Sequence, residues 1–257
     1  HRDLHSFPTR RSSDLQWQGN LGPGPLNAEF ATERAMKLSK ENGIGLVTLA
    51  NTNHWMRGGT YGWMAARKGF VFIGWANTCV NMPAWGGKDP RIGNNPFVIA
   101  VPYSPEAVVL DFAMSQFSYG KMEAFSSAGQ RLPYPGGFNT KGELTDNPGA
   151  ILRTMRPVPA GYWKGAGLSI LLDILAATLS GGLATHQIGS CEKETGISQV
   201  FIAIDIKSLH NFPAIHNTIS EILDDLGKSE PAGDGTEVRY PGRSEEHTSE
   251  LQSRQSI

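Results

Sequence analysis

Apolar positions in the first half of the chain alternate between helical and strand spacing. Over Asn27–Asn42 they recur every three to four residues, which predicts a helix whose first residue is the N-cap and whose left-handed stop is the glycine that follows. The run Ile44–Ala50 is mostly apolar and of strand length. A second helix over Tyr61–Lys68 and a second strand over Phe70–Ala76 repeat this order, so the pattern predicts an α/β fold.

The second half of the chain adds further strands and two helices. Two extended runs, Phe97–Pro102 and Ala107–Phe112, are separated by a short turn segment and predict a hairpin, so the sheet is predicted to be mixed. The apolar run Leu168–Leu179 predicts a central buried helix. Gln199–Ile206 predicts another strand, and Pro213–Leu226 an amphipathic C-terminal helix.

Composition and charge exclude several classes of protein. The 257 residues are 39% hydrophobic and 18% charged, and 23 Lys+Arg against 24 Asp+Glu give a formal net charge of -1. Such a chain lacks the basic excess that nucleic-acid binding needs, and it is too apolar to be disordered. Asp173 lies inside the most apolar run, which argues against a membrane span. The two cysteines, Cys79 and Cys191, are far apart, which favours a reducing compartment without disulfides.

The two ends of the chain are predicted not to belong to the fold. Ser6–Leu15 and Arg243–Ser253 resemble translated adapters of sequencing libraries, so we exclude both flanks from fold reasoning. The chain is therefore divided into an adapter-like segment 1–15, one domain 16–242 and a second adapter-like segment 243–257. The natural protein is expected to be longer at both ends.

The densest polar cluster, Asn51–Gly59, follows a predicted strand. Open α/β sheets bind ligands at the carboxyl ends of their strands. There His54 can exchange a proton with a carbonyl oxygen, and Arg57 can bind a substrate carboxylate. The alternative is structural, with a histidine that caps the strand end and an arginine that pairs with a surface acid.

Three further places combine polar groups in a way that suits a cofactor. The loop Trp85–Pro96 offers backbone N–H groups and two cations that can wrap an anion, or it is an ordinary turn region. Asp111 ends a strand, where it can accept ribose hydroxyls or cap a helix. Trp163 and Lys164 precede the predicted buried helix, where the lysine can hold a phosphate or remain solvated. The histidines show no metal-ligand spacing, so no metal site is predicted.

Five motifs taken together resemble the malate/L-lactate dehydrogenase-like family. They are NxNHWMRGGxYGW over 51–63, PxWGxKxxRIGxNP over 83–96, DxxxSxFSYG over 111–120, GYWKGxG over 161–167 and GISQxFIAI over 196–204. The resemblance covers about Gln16 to Gly242. Each motif alone is weak, but the set is specific.

The resemblance implies a layered, mixed-sheet α/β fold distinct from the Rossmann fold, whose complete GxGxxG fingerprint this chain lacks. It also implies an NAD(P)-dependent oxidoreductase, a homodimer in the cytoplasm that acts on a small 2-keto acid. Charge and composition, rather than the resemblance, predict no nucleic-acid partner and no membrane. The segments 54–59 and 116–120 are closest to family members that reduce 2,3-diketo-L-gulonate to 3-dehydro-L-gulonate, with NADH or NADPH as donor. Alternatives are a malate, L-lactate, sulfolactate or ureidoglycolate dehydrogenase, or a non-catalytic cofactor-binding protein.

The resemblance also implies roles for individual residues. His54 is the catalytic candidate and Arg57 the substrate-binding one. The implied cofactor contacts are Val109, Leu110, Asp111, Phe112, Ala113, Trp163, Lys164 and Gly242. The proton donor proposed for the family is a histidine in a Ser-His-Gly motif, which this sequence does not contain. We therefore predict that the chain as printed is inactive and that a longer parent is a reductase.

Overall fold

The structure, a computed structural model, describes residues 13–188, 194–233 and 238–243. Its strands are β1 (Asp14–Gln18), β2 (Ile44–Thr52), β3 (Phe70–Ala76), β4 (Met82–Pro83), β5 (Pro90–Ile92), β6 (Phe97–Tyr103), β7 (Glu106–Phe112), β8 (Gly137–Phe138), β9 (Leu144–Thr145) and β10 (Ile197–Asp205). Six of them form one sheet in the order β1-β2-β10-β3-β6-β7. β1 is parallel to β2 and the other neighbouring pairs are antiparallel, so the predicted mixed sheet is confirmed.

The sequence pattern predicts four of the helices of the described chain, with shifts of up to five residues at their ends. The described helices are α1 (Gly24–Asn42), α2 (Gly59–Arg67), α3 (Tyr119–Ser127), α4 (Pro148–Thr154), α5 (Trp163–Ser180), α6 (Thr185–Ile188) and α7 (Phe212–Gly227). The sequence pattern did not predict α3, α4 or α6, and it did not predict β1 or the short strands β4, β5, β8 and β9. α3 buries one residue, Met122, so its sequence carries no apolar stripe by which it could be recognised.

The start of α1 differs from the prediction. The helix begins at Gly24, and the two prolines that flank this residue hold the backbone at the φ that a first helical turn requires. Asn27 is therefore inside the helix and does not cap it. Its side-chain Nδ2 donates to Gly19 O at 3.0 Å and to Thr52 Oγ1 at 2.8 Å. These bonds tie the start of α1 to the end of β2.

Helices cover both faces of the sheet. α1 and α2 pack on one face and α5 packs on the other. Successive residues of the central strand β10 face opposite layers, with Phe201 in the core under α1 and α2 and Val200 in the core under α5. A smaller cluster joins α3 to α4 through Met122 and Ile151. The layered, non-Rossmann α/β architecture is thus confirmed.

The predicted central helix over Leu168–Leu179 is confirmed as α5, but the prediction that it is buried is wrong. Leu172 and Ala176 face the sheet and are almost fully buried, whereas Leu171 is 56% exposed and Ile174 is 50% exposed. Because the helix packs on the sheet from one side, its other side is open in the described part of the chain. By length and mean hydropathy alone, α5 is also the one described helix that could cross a membrane, which is weak evidence for a span.

The flanks are described only in part. Asp14 and Leu15, the last residues of the segment predicted to be adapter-like, belong to β1 and pair with Leu46 and Val47. Residues 1–12 and 244–257 lie outside the described residues. The division of the chain at 15 and 242 stays a prediction.

Candidate active site

A cleft of about 450 Å³ opens where β2 ends, at the loop that carries the predicted catalytic residue. It is lined by His54, Met56, Arg57, Gly58, Thr78, Asn94, Pro96, Asp111, Phe112, Ala113, Ser118, Tyr119 and Gly120. The structure thus brings the predicted catalytic and substrate-binding residues together with part of the predicted cofactor strand.

Trp55 anchors this loop in the core. Its side chain is 1% exposed and its ring lies 5.8 Å from the rings of Tyr61 and Phe201, centroid to centroid. The Trp55 carbonyl oxygen also accepts a hydrogen bond from the Tyr61 hydroxyl at 2.8 Å. Gly58 permits this packing, since a Cβ there would lie 2.8 Å from both the Trp55 ring and Val98. Because Trp55 is held inside, its neighbour His54 is held at the cleft.

The His54 ring is oriented by a backbone hydrogen bond. The Met56 N–H donates to His54 Nδ1 at 2.9 Å, and Met56 adopts a φ of +65°, which is uncommon for a residue with a side chain. Because Nδ1 accepts this bond, the neutral imidazole carries its proton on Nε2. The ring can therefore donate an N–H to a ligand oxygen in the cleft.

Arg57 stands next to a turn that Asp111 holds from the neighbouring part of the sheet. Asp111 Oδ2 accepts a hydrogen bond from the N–H of Gly59, the first residue of α2, at 2.6 Å. A Cβ at Gly59 would lie 2.9 Å from that oxygen, so glycine allows the close approach. Asp111 therefore caps a helix, which is the structural alternative for this residue, but the helix it caps is α2, far from it in the sequence. Its carboxylate also lines the cleft.

The other predicted cofactor residues lie in three different surroundings. Val109 is 1% exposed, so its side chain belongs to the core, whereas Leu110 is 39% exposed. Gly242 packs against β7, where the Val109 N–H donates to the Pro241 carbonyl oxygen at 3.1 Å. Trp163 and Lys164 are exposed at the start of α5 and do not line the cleft.

The start of α5 is nevertheless joined to the cleft through the backbone. The Ala160 N–H donates to Met114 O at 2.7 Å, immediately after the cleft residue Ala113. The cations of the loop Trp85–Pro96 lie outside the cleft lining, and Arg91 pairs with Asp89 at 2.6 Å. The described residues contain no group of three or more His, Cys, Asp or Glu that could hold a metal ion.

The sequence profile of the family described as malate/L-lactate dehydrogenase matches residues 6–257. This chain belongs to the malate/L-lactate dehydrogenase family. A 2,3-diketo-L-gulonate reductase of Escherichia coli K12 is 44% identical over 228 residues, which make up 88% of this chain and 68% of the relative. The chain thus spans about two thirds of that relative's length.

Solved structures of similar proteins agree with this assignment. Malate dehydrogenase from Pyrococcus horikoshii OT3 superposes with a TM-score of 0.85 at 25% identity, over 100% of this chain and 72% of that one. Sulfolactate dehydrogenase from Methanocaldococcus jannaschii superposes with a TM-score of 0.83 at 26% identity, over 98% of this chain and 73% of that one. The chain is that of an oxidoreductase that uses a nicotinamide cofactor.

The start of α5 fits the phosphates of such a cofactor. No side chain caps the helix there, and of its first N–H groups the one of Lys164 is bonded to the Gly161 carbonyl oxygen at 3.2 Å. Lys164 adds a cation in the first turn, and Trp163 presents an indole that is 63% exposed. In a malate/L-lactate dehydrogenase family member these two residues would hold the cofactor without a glycine-rich Rossmann turn.

Several cleft residues were missed at the level of sequence. Thr78 and Asn94 come from the ends of the long loop between β3 and β6, and Ser118 and Tyr119 from the start of α3. The available signal was the asparagine-rich loop itself, whose length indicates function. Sequence spacing could not tell which of its residues turn into the cleft.

Three weakly acidic side chains, Tyr61, Cys79 and Tyr119, have raised pKa values. Burial raises the pKa of Tyr61 to about 12, with a smaller contribution from Glu29. Burial also raises the pKa of the Cys79 thiol to about 12, and the Glu194 carboxylate adds to the effect. Burial raises the pKa of Tyr119 well above its usual value, so this phenol stays neutral at any working pH.

Alkaline pH is therefore expected to destabilise the fold. The folded pKa values of Cys79 and Tyr61, both about 12, exceed the ordinary values of 9.0 and 10.0, so unfolding releases protons only above those ordinary values. The free energy of unfolding should be unaffected by these groups below about pH 9 and should fall as the pH rises towards 12. Urea unfolding at a series of pH values across that range measures the fall in the free energy of unfolding. Cys79→Ser should delay the onset by about one pH unit, and an unchanged onset would contradict the assignment to the thiol.

Proposed function

We propose that this chain carries the catalytic cleft of an NAD(P)H-dependent reductase that converts 2,3-diketo-L-gulonate to 3-dehydro-L-gulonate. The observation that carries the proposal is the oriented His54 beside Arg57 in a cleft at the end of β2. The 44% identity to reductases of this substrate supports the choice of sugar acid. We also propose that the protein is a homodimer and acts in the cytoplasm.

The chain's own residues supply binding and electrostatics. A nicotinamide, when bound, would supply the hydride for the reduction of the ketone at C2. Arg57 can bind the adjacent carboxylate through its planar guanidinium, which orients the ketone. His54 can donate its Nε2–H to the keto oxygen, where negative charge develops as C2 is reduced. The product is the 2-hydroxy acid once that oxygen has taken up a proton.

A second acid is needed to deliver the proton that the keto oxygen takes up. A neutral imidazole that donates from Nε2 stabilises an alkoxide but is a weak source of a whole proton. The family resemblance implies a separate histidine in a Ser-His-Gly motif for this step, and the printed sequence lacks that motif. Activity is therefore tested in an extended chain, which joins residues 16–242 of this chain to the residues of the Escherichia coli relative outside the aligned segment.

The experiment is a reduced-cofactor oxidation assay on the extended chain. NADH and NADPH are each tested against 2,3-diketo-L-gulonate, oxaloacetate, pyruvate and sulfopyruvate. We expect a higher kcat/KM for the diketo sugar acid than for the other acids, because the relatives at 44% identity are named for it. Preference for a simple keto acid would assign the chain to another dehydrogenase activity of the same family. Cofactor binding by fluorescence without turnover on any acid would favour a non-catalytic binding protein.

A further inference from the structure

Part of the cleft wall is a network of neutral polar groups centred on Asn81. This residue is 8% exposed and lies in the loop between β3 and β6. Its side chain holds Asn94, and its carbonyl oxygen accepts a hydrogen bond from the Tyr119 hydroxyl. Both partners line the cleft that contains His54 and Arg57.

The network determines which way the Asn94 amide faces. A backbone N–H can only donate, and the Asn94 N–H donates to Asn81 Oδ1 at 2.7 Å. The other end of the Asn81 amide must then be its NH₂ group, which donates to Asn94 Oδ1 at 2.8 Å. Thr78 Oγ1 lies 3.2 Å from the same oxygen. Asn94 Oδ1 is thus the acceptor, and Nδ2 is directed away from Asn81.

The Asn94 Nδ2 group remains available to a ligand. It has no hydrogen-bond partner among the described residues, and it is not one of the buried polar atoms that lack one. Asn94 is half-buried, and its carbonyl oxygen is already bonded to the Met114 N–H at 2.7 Å. The residue is therefore held on three sides and presents a pre-oriented donor to the cleft.

Tyr119 presents the opposite polarity. Its single O–H proton is used by the Asn81 carbonyl oxygen, and burial keeps the phenol neutral. The oxygen lone pairs can therefore only accept a hydrogen bond. Asn81 thus holds one donor, on Asn94, and one acceptor, on Tyr119.

We propose that Asn94 and Tyr119 are specificity-determining residues that bind a hydroxyl group on the chain of the 2-keto acid. An alcohol can accept, as the Asn94 Nδ2 donor requires, and can donate, as the Tyr119 oxygen requires, so its chemistry matches the two groups that Asn81 holds at the cleft. A carboxylate or sulfonate only accepts and would face the tyrosine oxygen without a proton to offer. A methyl group would leave the Asn94 Nδ2–H donors and the Tyr119 lone pairs without a ligand partner.

The charges of the cleft agree with this assignment. Within the described lining, Arg57 is the one lysine or arginine, and it is assigned to the substrate carboxylate next to the ketone. A second anionic group, as in oxaloacetate or sulfopyruvate, would meet the carboxylate of Asp111 and the neutral pair instead. The inference rests on the proposed function and selects, among 2-keto acids, those with a hydroxylated chain.

Calorimetric titration of the chain as printed with L-gulonate and L-lactate tests the pair. Both acids have a carboxylate and a 2-hydroxyl group, and only L-gulonate carries further hydroxyls. The variant Asn94→Asp keeps the acceptor for Asn81 and Thr78 but removes the N–H donor, and Tyr119→Phe removes the acceptor. Each variant is expected to weaken L-gulonate binding about fivefold to tenfold while L-lactate binding changes by less than about twofold. Asn217→Asp, in an exposed part of α7, is the matched control.

Each outcome decides a different point. Equal weakening of both acids, or a fall in the thermal midpoint that accounts for the loss, would show a structural role and overturn the assignment. Unchanged L-gulonate binding in both variants, or no preference of the unsubstituted chain for L-gulonate, would overturn it as well. Failure of the unsubstituted chain to bind either acid would overturn the pair as a hydroxyl site of this chain, whereas the proposed function is decided separately by the reductase assay on the extended chain. That failure is visible before any variant is made.

Discussion

Replacing His54 by asparagine is expected to lower kcat of the extended chain by ~10²–10³-fold, the usual effect of removing one hydrogen-bond donor to a developing oxyanion. An asparagine oxygen can accept the Met56 N–H that His54 Nδ1 now accepts at 2.9 Å, because a short polar side chain readily bonds the backbone two residues on. The variant therefore keeps the turn and removes only the Nε2–H donor.

The comparison with His54→Ala separates chemistry from loop structure. Alanine removes both the donor and the bond that holds the turn. If the role of His54 is to donate to the keto oxygen, the two variants lose kcat to a similar extent and retain cofactor affinity. If the role is structural, the asparagine variant stays close to the unsubstituted enzyme. His210→Asn, at an exposed position before α7, is the matched control and should leave kcat unchanged.

Replacing Trp55 by alanine is expected to lower the free energy of unfolding by ~3–5 kcal/mol, the range for large buried aromatic residues. The side chain is 1% exposed and packs against Tyr61 and Phe201, so its removal leaves a cavity that these rigid rings cannot fill. Since His54 and Met56 flank this residue, the cleft should lose its shape as well. Urea unfolding followed by circular dichroism measures the loss.

Two further variants show whether the effect comes from the cavity. Trp55→Phe should cost less than alanine, because it refills part of the space and removes an indole N–H that is buried without a partner among the described residues. Trp85→Ala is the matched control, since this side chain is 54% exposed and touches Tyr162 edge to face. It should cost about 1 kcal/mol or less. An equal loss in both alanine variants would contradict the anchoring role of Trp55.

Periodic elements were predictable because their information is local. The apolar spacing before residue 43 requires one buried helix face, and Gly43 does end the helix at φ +81°. The hairpin of β6 and β7 was predictable because two short apolar runs and a turn admit few other structures. β1 was not predicted, because its first two residues fall in the flank that was excluded as adapter-like and because all five of its residues are only half-buried.

Burial and cap assignments failed where a distant element decided them. Leu168–Leu179 has apolar residues around most of the helix, which at sequence level indicates a helix that is covered on most sides. In the fold it packs on the sheet from one side, and the covering of the other side is not a property of its own residues. Asn27 suits an N-cap by residue type, but the prolines before it start the helix earlier. Its amide then serves a long-range contact to Thr52.

The candidate site also has one part that the sequence determines and one part that only the fold determines. The sequence by itself determined the family, the layered α/β class and the place of His54 and Arg57 after a strand, because motifs and apolar periods are encoded by neighbouring residues. Only the tertiary structure decided that Asp111 caps α2 from β7 and that Asn94 and Tyr119 meet at Asn81. Hydrogen bonds between residues far apart in the chain depend on how the sheet and its loops assemble, and a single sequence carries no local trace of that assembly.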